Sequence, residues 1–391
     1  MKVLHIGKYF EPFKGGVETY LRDLVVGLQA HEVQCAVLVH DHRPGLRSRK
    51  EQFGTEGGGF PVWRAGTWLR LFYTPLSPAF PFLLRRLIKD FQPDLVHVHL
   101  PNPSALWALL LASARRRPLV VHWHSDVVTD SLGWLMRFLY LLYRPLERAL
   151  LRRAALIVAT SESYLRSSAS LQAHPGRCRV VPLGLDPRRM AALAALAPPA
   201  PSHGTELQVL AIGRLTYYKG FGYLVEAAAR TSGVRVHIVG SGERGWELRR
   251  LAAQLGVTER VRFHGELDDA ALAARLADCD CLCLPSIERT EAFGLVLLEA
   301  MYFAKPTVIS DVPGSGMASV VLDRETGLKV PSRDAAALAA ALETLRDDAA
   351  LRRRLGGEGR RRFDAHFDIA HGAAAIAAAY AEACSQRGSL P

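Results

Sequence analysis

Short apolar runs alternate with stretches of helical periodicity along the whole chain. The runs at residues 3–6, 35–39, 95–99, 119–122, 156–159 and 179–181 are brief and bounded by turn-forming residues, which predicts buried strands. Between the first two, Val17, Tyr20, Leu21, Leu24, Val25 and Leu28 repeat at three-and-four spacing and mark one face of a helix. Strands alternating with helices in this way predict a parallel sheet covered on both sides, because a parallel crossover needs a helix-length connection.

The rhythm breaks at residues 187–206, where Pro198, Pro199, Pro201, Ser202 and Gly204 give a linker composition. It restarts with predicted strands at 209–212, 234–239, 261–263, 281–284, 307–309 and 328–330. The expectation is an α/β chain of two Rossmann-like, doubly wound domains, 1–186 and 187–369. Their sheets' carboxyl ends would line a cleft, the place where open α/β sheets bind ligands.

A length of 391 residues fits two domains, and 49% hydrophobic with 22% charged residues fits a folded, water-exposed protein rather than a disordered one. Cys279, Cys281 and Cys283 alternate along one predicted strand, so their thiols share a face and cannot enclose a tetrahedral ion. The six cysteines therefore predict a reducing, cytoplasmic setting without disulfides. The first seven residues are too short an apolar run for a signal peptide, and no run of about twenty apolar residues exists to span a bilayer. Charge is unevenly placed. Residues 1–186 carry 24 Lys+Arg against 14 Asp+Glu, and residues 187–391 carry 25 against 24, so nearly all of the net +11 sits in the first half. That asymmetry suggests an anionic partner for the first half: nucleic acid, an anionic membrane or an acidic substrate. Arginine outnumbers lysine 41 to 8, and Lys219 is the one lysine between Lys89 and Lys305.

Four places could carry chemistry. Gly15-Gly16 follows the first strand and opens a helix, which suits close approach to an anion or an ordinary tight turn. After the first strand of the second domain, Gly213-Arg214 and Lys219-Gly220 place two cations where one phosphate could meet both. Each contributes roughly 4 kcal/mol at about 4 Å and an effective dielectric near 20; solvated surface charge is the alternative. Glu291 is expected just ahead of a helix and Glu299 two turns into it, eight residues that advance about 12 Å along the axis and about 80° around it, with the N–H groups of Phe293, Gly294 and Leu295 between them open to a diphosphate. A dipole-capping acid and a surface glutamate would be the plain reading, but Glu299 lies among Leu297, Leu298, Ala300 and Met301. The fourth is His122-Trp123-His124-Ser125-Asp126 at a strand end. Its His-x-His, like His97-Val98-His99, invites a metal, but no third ligand stands at a telling spacing, so a hydrogen-bonding role for one histidine is preferred. Asp278-Cys279-Asp280 precedes its strand, on the wrong side of the sheet, and reads as a helix end.

These residues together resemble the retaining glycosyltransferases of family 4, which have the GT-B fold, over essentially the whole chain. The resemblance implies that Arg214 and Lys219 hold the donor diphosphate, Glu291 contacts the transferred sugar and Glu299 the nucleotide ribose. It implies that His124 lies close to the donor sugar and Gly16 near its phosphates. The first domain would bind the acceptor and the second the nucleotide-sugar, with the last helix, about residues 370–383, returning to the first domain. The finer texture, His122 to Asp126, Tyr217-Tyr218-Lys219-Gly220 and Pro285 to Glu291, is similar to bacterial mannosyl- and rhamnosyltransferases of O-antigen synthesis that use GDP-sugars.

The expected activity is transfer of a hexose from a nucleotide-diphosphate sugar to a hydroxyl of a glycan or lipid-linked acceptor, with no metal or other cofactor. Two alternatives stand beside it. One is a non-hydrolysing sugar-nucleotide epimerase, which shares the two-domain architecture. The other is a basic nucleic-acid-binding protein, which lacks a recognition-helix, zinc-finger or RNA-binding signature, so no nucleic-acid partner is expected. The segment 134–144, followed by Arg148, Arg152 and Arg153, suits either an interfacial helix on an anionic leaflet or simple core packing. Leu83, Leu84, Arg85, Arg86 and Lys89 would form a second such surface.

Overall fold

The computed structural model describes residues 1–54, 59–71, 74–127, 134–198 and 206–386. Pro199, Pro201, Ser202 and Gly204 of the expected linker lie outside the described residues. The chain divides into two units, Met1–Gly184 with Ile369–Pro391, and Leu185–Asp368.

In unit 1 the strands are β1 (Lys2–Ile6), β2 (Gln34–Pro44), β3 (Arg49–Phe53), β4 (Phe60–Thr67), β5 (Leu69–Leu71), β6 (Thr74–Leu76), β7 (Leu95–Leu100), β8 (Leu119–Trp123), β9 (Leu156–Ala159) and β10 (Cys178–Val180). Eight of them form one sheet in the order β10-β9-β8-β7-β1-β2-β4-β3, and β5 pairs with β6 alone. The pattern of apolar runs misses β3 to β6. Arg49-Lys50-Glu51-Gln52-Phe53 has no apolar run because β3 is an edge strand, antiparallel to β4 and largely exposed. The sheet is therefore mixed, parallel except at this edge.

One face of the unit 1 sheet departs from the apolar rule. His5 on β1 lies opposite His97 on β7, and His99 on β7 opposite His122 on β8. These four and His124 are fully or almost fully buried. Helices Gly16–Leu28 and Ile369–Ser385 lie over this side of the sheet: Tyr20 meets His122 and His124 edge-on, and Tyr380 hydrogen-bonds His97. The two helices also touch each other closely, for a Cβ on Gly27 would lie 3.1 Å from that of Ala373.

Unit 2 holds β11 (Leu207–Ile212), β12 (Val234–Val239), β13 (Val261–Gly265), β14 (Cys281–Leu284), β15 (Thr307–Asp311) and β16 (Gly327–Pro331), all parallel in the order β13-β12-β11-β14-β15-β16. Their cores are Val, Ile, Leu and Cys, the continuous apolar runs that a sheet covered on both faces requires. Part of the expected linker is a helix, Pro187–Ala195. Asp186 accepts from the Arg188 N–H at 2.9 Å as N-cap, Pro187 begins the helix, and Met190 and Leu193 are buried. Cys279 falls before β14, at the end of helix Asp269–Asp278, so only Cys281 and Cys283 share the strand face. Asp278 ends that helix, and Asp280 accepts from the Gln208 N–H at 2.8 Å.

Each imidazole on the unit 1 face is pushed toward neutrality because burial removes water from its charged form; His5 and His124 fall to about 3, and His97, His99 and His122 lie well below the ordinary value. The unfolded chain takes up protons below about pH 6.5 and the folded unit does not. Stability is therefore full above that pH and is lost as the pH falls from there toward 3. Each histidine removes about 1.4 kcal/mol per pH unit below its unfolded value. Thermal unfolding resolved by hydrogen exchange is expected to show β1, β7 and β8 losing protection between pH 7 and 5.5. The slope should be shallower in His122→Phe, and a pH-independent profile would contradict charge exclusion.

Candidate functional site

The strand order of unit 2 reverses between β11 and β14, and the loops leaving their carboxyl ends carry the site. After β11, Gly213-Arg214 leads into a single turn, Tyr217–Lys219, ended by Gly220. Gly220 has φ 66°, and a Cβ there would lie 2.0 Å from the Pro285 carbonyl oxygen, so glycine is required for the two loops to touch. The Ile287 N–H donates to the Tyr218 carbonyl at 2.8 Å and completes the junction.

Across that junction Lys219 Nζ pairs with Glu291 Oε2 at 2.5 Å, and both residues are buried. Burial works against the lysine charge, but Glu291 and Tyr218 outweigh it, and the Lys219 pKa lies above its ordinary value. The Ser286 hydroxyl donates to the same Glu291 oxygen at 3.1 Å. The Glu291 main chain is held separately. Ser315 Oγ donates to its carbonyl at 2.5 Å, and the Gly316 N–H donates to the Ala292 carbonyl at 2.8 Å. Arg214 is exposed beside this pair and acts electrostatically on Lys219. Ser315, on the loop after β15, escapes a reading of spacing; its one signal is position, at the carboxyl end of the strand next to β14.

One expectation changes. Glu291 lies ahead of the helix, as expected, but the helix is Leu295–Tyr302 with Gly294, at φ 80°, as its cap, so Glu299 is not two turns into it. A side chain on Gly294 would press on Leu297 and Leu284 at 2.8 and 2.9 Å. The residues from Ser286 to Gly294 are loop, so the 12 Å and 80° separation does not apply, and Glu299 lies little more than one turn in. Phe293 precedes the helix and is buried against Phe367, while Leu295 is the first helical residue. Glu299 is half-buried.

The other expected residues belong to unit 1, a separate compact unit. Gly16 is exposed at the start of helix Gly16–Leu28. The loop before it is anchored by buried Arg64, which donates to the Phe10 carbonyl at 3.3 Å and to that of Glu11, and pairs with Glu51. His124 follows β8; its N–H donates to the Leu100 carbonyl at 3.0 Å, and its ring is buried. Trp123 Nε1 and Ser168 Oγ both donate to Asp126 at 2.7 Å and hold the turn behind it.

The third imidazole that local spacing did not supply comes from neighbouring strands. Ring nitrogens of His5, His97 and His99 lie within 4.8 Å of one another, as do those of His99, His122 and His124. The His122 and His124 rings stack at 4.4 Å and 4°, however, so their lone pairs run side by side instead of converging on an ion. His5 Nδ1 meets His99 Nε2 at 3.2 Å, and His99 Nδ1 meets His124 Nε2 at 3.0 Å.

Comparison with known proteins places this geometry. The family of Glycosyl transferases group 1 matches residues 197–362, and the Glycosyl transferase 4-like domain matches residues 15–184. The chain is 31% identical over 389 residues to O-antigen chain mannosyltransferase C of Escherichia coli, covering 95% of each chain. It is 32% identical over 355 residues to a D-rhamnosyltransferase of Pseudomonas aeruginosa, covering 88% of this chain and 86% of that one. It is 32% identical to a phosphatidyl-myo-inositol mannosyltransferase of Mycobacterium leprae, covering 93% of each. Among solved structures, a sucrose-phosphate synthase from Thermosynechococcus elongatus matches with a TM-score of 0.76 at 23% identity, over 99% of this chain and 100% of that chain, which concerns the fold alone. The chain therefore has the GT-B fold, belongs to the family 4 glycosyltransferases and is a hexosyltransferase.

Proposed function

We propose that the enzyme transfers mannose or rhamnose from a GDP-sugar to a hydroxyl of a lipid-linked glycan, with retention of anomeric configuration. The sugar is suggested by the names of its relatives, a mannosyltransferase and a rhamnosyltransferase. The observation that carries the mechanism is the Lys219–Glu291 pair at the carboxyl ends of β11 and β14, a buried cation and a buried carboxylate beside exposed Arg214. The epimerase alternative gives way to membership of a hexosyltransferase family.

The bond from the sugar's anomeric carbon to the leaving phosphate breaks, and a bond to the acceptor oxygen forms on the same face. The acceptor's proton goes to the leaving phosphate. Positive charge develops on the sugar and negative charge on the diphosphate. Arg214 and Lys219 stabilise the diphosphate, and the first amides of helix Leu295–Tyr302 add their dipole. Glu291, held by Ser286 and Ser315, orients the sugar; His124 hydrogen-bonds one of its hydroxyls; Glu299 takes the ribose; and Gly16 lets the backbone approach the phosphates. No divalent metal is needed. With EDTA present, GDP-mannose or GDP-rhamnose should be turned over at an undiminished rate and UDP- and ADP-sugars should not; a strict Mg²⁺ or Mn²⁺ requirement would overturn the metal-free mechanism.

Arg214→Ala and Lys219→Ala should each lower turnover by about two orders of magnitude, roughly 3 kcal/mol of lost leaving-group stabilisation. Glu291→Ala should lose comparable turnover, yet calorimetry should find its affinity for free nucleotide diphosphate unchanged or raised. Removing Glu291 releases Lys219 from its ion pair, so a collapse of nucleotide affinity would assign Glu291 a different contact.

The acceptor reading extends to a surface. Helix Trp134–Arg153 exposes Trp134 (80%), Leu135, Phe138, Leu141, Leu142 and Leu146, one stripe at helical spacing, with exposed Arg144, Arg148 and Arg152 beside it. Among the described residues no helix is long and apolar enough to cross a membrane, and this stripe suits an interfacial position. Arg153 takes no part, because it donates to the Ala114 and Arg117 carbonyls at 2.8 Å. The second expected surface is also revised: Leu84 is in the core, and Phe82 (74% exposed) lies outward on helix Phe80–Phe91 with Arg85. Each cation near an anionic leaflet contributes about 1 kcal/mol. Phosphatidylglycerol vesicles should sediment the protein at low salt and release it at high salt. Arg144, Arg148 and Arg152 changed together to Glu should abolish sedimentation, and equal binding by that variant would remove the docking surface.

A further inference from the structure

We propose that His5 and His99 are positioning residues that hold His124 as its Nε2–H tautomer, so that its Nδ1 carries a lone pair for a substrate hydroxyl. The inference rests on the reading of His124 as a donor-sugar contact for its consequence, but not for its geometry.

Three imidazoles lie in a line that begins at a thiol. Cys35 Sγ lies 3.7 Å from His5 Nε2, His5 Nδ1 lies 3.2 Å from His99 Nε2, and His99 Nδ1 lies 3.0 Å from His124 Nε2. All three rings are buried and neutral, so each has one N–H and one lone pair. Both nitrogen–nitrogen contacts are hydrogen bonds only if every ring points its proton the same way along the line. A mixed choice sets two N–H groups or two lone pairs against each other. Two states remain: all protons toward Cys35, or all toward His124.

The ends decide between them. Burial pushes the Cys35 thiol up to about 12, so it keeps its proton, and Sγ donates to the Val33 carbonyl at 3.8 Å. A carbonyl can only accept, so the sulfur turns its lone pairs to His5 Nε2, which must bear the hydrogen. At the other end, His124 Nδ1 is buried and has no hydrogen-bond partner among the described residues. The opposite state would leave an N–H there without an acceptor, besides removing the thiol's proton from Val33. Protons toward Cys35 satisfy every donor in the line and leave one acceptor open at His124.

The test reads the tautomer directly. In the full-length enzyme with ¹⁵N-labelled histidine, two-bond ¹⁵N–¹H spectra near pH 7.5, with His124 assigned by His124→Gln, are expected to show His124 protonated on Nε2 and not on Nδ1. His99→Phe keeps the ring volume and removes the acceptor; His124 should become a mixture of tautomers, and turnover should fall about tenfold. His99→Asn, whose amide oxygen can stand near the position of Nδ1, should restore the single tautomer and most of the turnover. A wild-type His124 protonated on Nδ1, or an unchanged tautomer in His99→Phe, overturns the relay. A tautomer that responds as expected while His99→Phe turns over normally supports the relay and removes His124 from the sugar contact.

Discussion

A reversal of strand order governs the chemistry of unit 2. Because β11 and β14 are neighbours from which the chain winds in opposite directions, the loops leaving their carboxyl ends lie side by side and meet. Every charged group of the candidate site stands on one of those two loops or just beyond it. What closes the arrangement is the backbone contact at Gly220, where the absence of a side chain lets the β11 loop rest on Pro285. Lys219 and Glu291 are far apart in sequence and meet because their strands share an edge.

Much of this was legible in the chain. Buried parallel strands announce themselves as apolar runs, so all six strands of unit 2 were readable, as were the cations after β11. The edge strand β3 was not, because an exposed edge need not be apolar. Helix Pro187–Ala195 was hidden by the proline-rich stretch after it, although Asp186-Pro187 is itself a helix-start signal. The placement of Glu291 relative to Glu299 failed for a similar reason. Eight residues of spacing were treated as continuous helix, and Gly294 interrupts them in a conformation that spacing alone does not reveal. The anchors Ser315 and Arg64 act through carbonyl groups of distant loops, a relation with no sequence period.

The histidine face of unit 1 exposes the limit of local pattern more sharply. His97-Val98-His99 and His122-Trp123-His124 each look like half of something. Register is what joins them, since parallel neighbours put His5 beside His97 and His99 beside His122. Burying five imidazoles where Val or Ile would pack more cheaply costs solvation, and hydrogen bonds along the line recover part of that loss. The same polar core ties unit 1 to its most distant segment in the sequence, through Tyr380.

Tyr380 reaches His97 across 283 residues of chain, at 2.6 Å. Unit 2 is continuous in sequence, whereas unit 1 is completed by a helix that begins at Ile369. On a ribosome the order of synthesis is therefore not the order of completion. The sheet of unit 1 emerges first with its histidine face uncovered, unit 2 is made in full, and only then does the helix that seals the first core leave the exit tunnel. A closing contact this remote carries a large loop-closure entropy, which an already folded unit 2 reduces by drawing the ends of its own segment into a compact body. The second unit thus acts as a folding spacer for the first.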